Sequence, residues 1–395
     1  MHEPTCLSKD AGRIEVGFWL RAYATGLISV FLYSCRRMLR RAAWIWVLLS
    51  LSAAAQAAWV DADHPHIQYL GRVSMANPKA PAFSWTGVSV RVRFTGPSIS
   101  VRLRDTYNRY TVLIDGIERG LLEARAEQEE YSLAHTLGEG THELQLIKRH
   151  ESNFTKAEFL GVRLSDGHTL QPPPARSMLR MEFIGDSYVA CYGCELNRRE
   201  GDDQDYRRFT NVSRSFGSLV AKHYGAEAMV NAYSGKGLVR NASNDTSGRT
   251  FAAYYERTLH VGEDLGWPRD NWSFSSWVPR LVVIHLGIND FVGKTTQPAS
   301  QDAFVERYGQ FLQSLRVRYS GARFVLMSTP EWPYRLLRSS VEKVVQHQKA
   351  TGHQDVFHLH YNLQPEALHW HPSARQHEEV AARLIELIDR EELLR

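Results

Sequence analysis

The sequence has little charge imbalance. Forty-seven Lys and Arg stand against 43 Asp and Glu, a formal net charge of +4 over 395 residues. An excess that small and dispersed gives no footprint for nucleic acid. Cysteine is scarce as well. Of four residues, Cys6 and Cys35 fall within the first 57 positions, so a disulfide-rich scaffold is excluded. The other two, Cys191 and Cys194 in Cys-Tyr-Gly-Cys, are too few for tetrahedral zinc, which wants four ligands. They suit a small local disulfide in an oxidising compartment, or plain packing. A redox pair lacks any thioredoxin-like pattern around it. Internal repeats are absent, and the apolar run 42–51 is short of the ~20 residues a spanning helix needs.

What is present is ordinary for a folded protein. Hydrophobic residues make up 43% and charged residues 23%, so substantial cores are expected and disorder is not. The length exceeds the ~250–300 residues at which one core stops growing, and two domains are expected. Ten Trp and seventeen Tyr suit sugar stacking and β-cores equally well.

Residues 1–57 read differently from the rest. Arg36, Arg37, Arg40 and Arg41 surround Met38, an apolar run follows, and Ala55-Gln56-Ala57 closes it. Basic, apolar and small-residue segments in that order are the parts of a secretory signal. The expectation is a start at Met38, an upstream extension before it, and cleavage after Ala57. Export to a bacterial periplasm or beyond follows, with no stable membrane insertion after cleavage. A retained anchor, helped by the apolar stretch 18–33, is the competing reading.

From 58 to 170 the chain alternates apolar and polar residues in short runs, the period of half-buried strands. The runs are 88–94, 99–103, 110–114, 143–147 and 159–164, with turn residues such as Asp115-Gly116 between them. A β-sandwich is expected. Pro172-Pro173-Pro174 can continue neither strand nor helix, so 171–178 is a linker. Across 179–395 the pattern becomes strands alternating with helices. Buried strands are expected at 181–184, 281–286 and 324–327, and helices at 215–223, 303–319 and 378–392. Such alternation implies an α/β domain with helices on both faces of a parallel sheet.

Sites in such sheets lie at the carboxyl ends of strands. Gly185-Asp186-Ser187 follows the first strand, with Ser187 at an expected strand-to-helix junction. Ser234-Gly235-Lys236-Gly237 offers backbone N–H groups in a turn. Asn289 stands at the mouth of a buried strand, and His369-Trp370-His371-Pro372 precedes the last helix. Acyl transfer needs these parts together: a hydroxyl, an imidazole to take its proton, and donors for the oxyanion. Ser187 serves as nucleophile and His371 as base, with His369 its rival. The N–H groups of Ser187 and Gly235 and the Asn289 amide serve as the oxyanion hole. No metal or cofactor is required. Asp186 is read as an acceptor for loop N–H groups, Asp290 as a cap, and His285 as a hydrogen-bonded core histidine. Trp332, Trp370 and Tyr188 are candidate walls for a sugar, and Glu195 a candidate pocket residue; packing is the bland alternative for each.

Gly185-Asp186-Ser187, Gly235, Asn289 and His371 resemble, in order, the four blocks of the SGNH (GDSL-like) hydrolases. Ser234–Gly237 with Arg240-Asn241, Leu286–Phe291 and Trp370-His371-Pro372 are similar to carbohydrate esterase family 2. That resemblance implies a jelly-roll-like N-terminal sandwich followed by a three-layer SGNH domain, and acetyl removal from plant polysaccharides. A monomer acting on an acetylated glycan is expected. The departure is Leu368, where SGNH enzymes place an Asp three residues before the His. Some family members use a Ser–His dyad with a backbone carbonyl instead; Glu366 or Glu331 is the alternative orienting acid. Rival functions are a lipid or thioester hydrolase, an acetyltransferase, or a non-catalytic carbohydrate-binding protein.

Overall fold

The computed structural model describes residues 58–395, apart from 152–153, 243–244, 246–247, 262–269 and 294–296. The expected leader, with Met38 and Ala57, lies outside the described residues. The described residues form one compact unit.

Alternating sequence gives strands because successive side chains point to opposite faces. Eleven strands form the first part: β1 (Val60–Asp61), β2 (Ile67–Leu70), β3 (Ala82–Phe83), β4 (Ser89–Thr95), β5 (Ile99–Arg104), β6 (Arg109–Ile114), β7 (Ile117–Glu123), β8 (Glu130–Ala134), β9 (Thr141–Lys148), β10 (Ala157–Leu164) and β11 (Leu170–Gln171). One antiparallel sheet runs β1-β10-β5-β8 with β3 on β10; the other runs β11-β4-β9-β6-β7 with β2 on β4. Val90, Val92 and Phe94 of one sheet share an apolar cluster with Ile99, Val101 and Leu103 of the other. Residues 172–179 carry no regular secondary structure.

The second part is a parallel sheet of β12 (Arg180–Gly185), β13 (Glu227–Ala232), β14 (Leu281–His285), β15 (Arg323–Ser328) and β16 (Val356–His360), in the order β13-β12-β14-β15-β16. The inner strands β14 and β15 are mainly apolar on both sides, and alternate residues of the sheet divide between two cores. Phe183, Val283, Val325 and Met327 pack with helices α1 (Phe216–His223) and α4 (Ala374–Arg390). Ile184, Val282, Ile284, Phe324 and Leu326 pack with α2 (Gln301–Arg318) and α3 (Leu337–Ala350). Helix α4 starts four residues before the expected 378, because Ser373 and Gln376 form a capping box.

The two parts are locked by a buried ion pair. Arg72 of the antiparallel region reaches Glu182 on β12 at 3.3 Å, both side chains fully buried. The Arg72 guanidinium lies 4.4 Å from the Tyr255 ring centre and 5.3 Å from that of Phe274.

Candidate active site

Sheet order brings three loops together. Gly185 pairs in register with Ala232 on one side and His285 on the other, so the loops after β12, β13 and β14 begin at one level. Each is shaped by a buried carboxylate or a turn. Asp186 accepts the Tyr188 N–H at 3.0 Å and the Asn289 amide at 3.2 Å. Asp290 accepts the backbone N–H groups of Leu238, Val239 and Arg240, at 2.6–3.1 Å, which gathers the glycine loop around it. Tyr233 to Lys236 closes a turn in which Gly235 has φ +78°, a conformation other residues adopt at a cost.

Ser187 does not open a helix. Residues 187–195 form consecutive turns, because Cys191 and Gly193 take left-handed φ of 59° and 55°. A Cys191–Cys194 disulfide, Cα–Cα 5.2 Å, closes them. The negative charge expected to find a helix N-terminus at Ser187 finds loop N–H groups instead.

His371 arrives from the loop ahead of α4. Its Nε2 lies 2.8 Å from Ser187 Oγ and its Nδ1 2.8 Å from the Leu368 carbonyl oxygen. A carbonyl only accepts, so this contact assigns the proton to Nδ1 and leaves Nε2 bare toward the hydroxyl. An imidazole so placed can take the Ser187 proton. Tyr192 stacks on the ring at 4.4 Å and Tyr188 lies 5.3 Å away. Desolvation pushes His371 down to about 4, against the raising effect of the Leu368 carbonyl. Neutral imidazole is therefore the resting form at neutral pH.

Neither alternative acid reaches His371. Glu366 accepts from Ser373 Oγ at 2.6 Å and from Arg375 at 2.9 Å. Glu331 accepts the Leu336 and Leu337 N–H groups at the start of α3, as carboxylates at helix N-termini do. His369 also stands apart from Ser187: its ring nitrogens face Tyr192 Oη at 3.2 Å and the Gly201 carbonyl at 3.1 Å. His285 is buried and faces Tyr361 Oη at 2.9 Å.

The Ser187 and Gly235 N–H groups donate to no protein acceptor among the described residues, which leaves both free for a substrate oxygen. Asn289 is less free. Its amide also donates to the Lys236 carbonyl at 3.1 Å, so both hydrogens are engaged.

Ser187, His371, Gly235 and Asn289 line one cleft of about 1340 Å³. Trp332 and Trp370 line it too, exposed by 55% and 60%; the Arg199 guanidinium covers Trp370 at 3.8 Å. Tyr188 is mostly buried and donates to the Trp370 carbonyl at 3.2 Å. Glu195 lies outside the cleft lining, held by Arg149 and Asn211. Sequence reasoning missed Tyr192 and the loop-gathering role of Asp290; the backbone carbonyl at His371 was expected from the family resemblance, and its owner is Leu368. Only Asp290 left a signal, a carboxylate beside Asn289. Among the described residues no group of three or more His, Cys, Asp or Glu is placed to hold a metal.

Comparison with known proteins places this geometry. Residues 69–174 match the carbohydrate esterase 2 N-terminal family, and residues 183–379 the GDSL-like lipase/acylhydrolase family. The chain is 31% identical over 336 residues to the cellulase/esterase CelE of Acetivibrio thermocellus, covering 82% of this chain and 39% of that protein. It is 29% identical over 348 residues to an acetylxylan esterase/glucomannan deacetylase of Cellvibrio japonicus, covering 85% of this chain and 93% of that one. A family two carbohydrate esterase from Clostridium thermocellum, solved in complex with cellohexaose, superposes with TM-score 0.75 at 29% identity, over 83% of this chain and all of that one. With its N-terminal sheets, its GDSL-like second domain and its Ser187–His371 contact, the chain belongs to carbohydrate esterase family 2 and is a carboxylic ester hydrolase.

Proposed function

We propose that this protein removes O-acetyl groups from a polysaccharide through an acyl-enzyme on Ser187. The observation that carries the reading is the chain of contacts from Ser187 Oγ through His371 to the Leu368 carbonyl, inside a tryptophan-walled cleft. His371 Nε2 takes the hydroxyl proton as Oγ attacks the acetyl carbon, and Nδ1–H stays on Leu368. The oxyanion is held by the Ser187 and Gly235 N–H groups, and by Asn289 once its amide turns from Asp186 or Lys236. Collapse expels the sugar oxygen, which leaves with the Nε2 proton. Water then gives a proton to Nε2 as its oxygen attacks the acetyl carbon; the bond from that carbon to Oγ breaks, Oγ takes the Nε2 proton back, and acetate is released.

A glycan fits the cleft better than a small ester does. Its volume exceeds the ~300–1,000 Å³ of typical small-molecule pockets, and exposed tryptophans suit sugar faces. The names of the relatives point to acetylated xylan and glucomannan. With this reading go a jelly-roll-like sandwich over 58–170, a linker over 171–178 and a three-layer hydrolase domain over 179–395, acting as an exported monomer. Acetate release from a panel of acetylated polysaccharides, by wild type and Ser187→Ala, tests it. The wild type should release acetate and the variant should lose at least a thousandfold; a folded wild type inactive on every ester would overturn it.

A further inference from the structure

Strand β9 ends at Lys148, and the chain runs on toward the hydrolase domain. Its continuation, Arg149-His150-Glu151, enters the hydrolase domain and is buried there, with Arg149 2% and Glu151 1% exposed. Arg149 grips the nucleophile side. Its Nε donates to the Thr210 carbonyl at 3.2 Å, its guanidinium pairs with Glu195, and its own carbonyl accepts the Val212 N–H at 3.0 Å. Two residues on, the Glu151 carbonyl accepts Tyr206 Oη–H at 3.0 Å.

The Glu151 side chain turns to the other side of the site. Oε1 accepts the Ser234 N–H at 3.1 Å and also the Ser234 hydroxyl. Oε2 has no hydrogen-bond partner among the described residues. A buried carboxylate costs stability unless it is bonded, and both bonds of this one go to Ser234. Ser234 immediately precedes Gly235, which lines the cleft and whose N–H has no acceptor among the described residues.

We propose that Glu151, supplied by the antiparallel sheet domain, is a positioning residue of the oxyanion hole, holding Ser234 so that the Gly235 N–H is fixed for the substrate oxygen. The inference rests on the oxyanion role given to Gly235 above. It makes the sheet domain part of the active site and not a detachable binding module. An oxyanion donor acts only within a few tenths of an ångström of its place, and removing one costs ~10²–10³ in kcat. A mispositioned donor should cost somewhat less.

The test uses the full chain, with Glu151→Gln, Glu151→Asp and Glu151→Ala beside Ser187→Ala, on p-nitrophenyl acetate. Gln keeps an oxygen for both Ser234 donors and should hold kcat within about threefold. Asp and Ala should lower kcat about 10- to 100-fold while KM stays within about threefold. A merely structural role would not separate kcat from KM, nor be rescued by Gln. If Ala does not fold, Asp decides alone. Wild-type kcat in a folded Asp or Ala variant, or a Gln variant as slow as Ala, would overturn the inference. Full activity in Ser187→Ala would instead overturn the reading on which it rests.

Discussion

Gly193 and Leu368 touch so closely that a Cβ on the glycine would lie 2.4 Å from the leucine Cβ. Leu368 is the residue whose carbonyl faces His371 Nδ1, and Gly193 sits in the turns that follow Ser187. The two sides of the Ser187–His371 contact therefore meet again one layer back, backbone against side chain.

Gly193→Ala should disturb both sides at once. The φ of +55° alone costs an alanine ~1–2 kcal/mol, and the new methyl must push Leu368 away. A fall in kcat/KM of about tenfold or more is expected, with a lower melting temperature. Esterase kinetics and thermal unfolding of the purified variant check it; unchanged kinetics would mean the Leu368 carbonyl tolerates displacement.

Substituting the two excluded acids should separate stability from catalysis. Glu366→Gln should leave kcat within a few-fold, since its partners are Ser373 and Arg375. Glu331→Gln should also keep kcat within a few-fold, but should lose ~0.5–1 kcal/mol of stability from the start of α3. Steady-state kinetics and urea unfolding measure the two effects. A thousandfold loss of turnover for either would return that acid to the catalytic machinery.

The pH profile follows from His371. Burial favours the neutral ring and lowers its titration to about 4; the base form is the active one. Activity should therefore be present above the folded value and lost as pH falls through it. A plot of kcat/KM should stay level from pH 8 to about 5 and then fall with unit slope near pH 4. A limb near the ordinary histidine value, about 6.5, would show the ring to be solvated.

Much of this arrangement was legible in the residues. Strand period marked β4, β5, β6, β9 and β10, and continuous apolar runs marked β14 and β15. Other elements gave weak patterns. Strand β13 carries Glu227 and Asn231 among its apolar residues. The edge strand β16 holds the half-buried His358 and His360, and the first turn of α3 carries Arg338, Ser339 and Ser340 after Leu337. Their placement comes from neighbours already in the sheet, which local propensity does not report.

By itself the sequence put forward the side chains proposed for the chemistry. A serine after a strand, a glycine turn, an asparagine and a histidine before the last helix are common residue types, and their order and spacing carried the signal. Tertiary structure decided what steadies them. Ser187 and His371 are 184 positions apart, and their contact exists only once the sheet aligns their loops. The orienting acceptor for His371 is a backbone carbonyl, a group every residue carries, so Leu368 in place of an Asp left the carbonyl and two acids as alternatives that only the fold could separate. Glu366 and Glu331 had the right chemistry, but folding gave their oxygens to a serine, an arginine and a helix end.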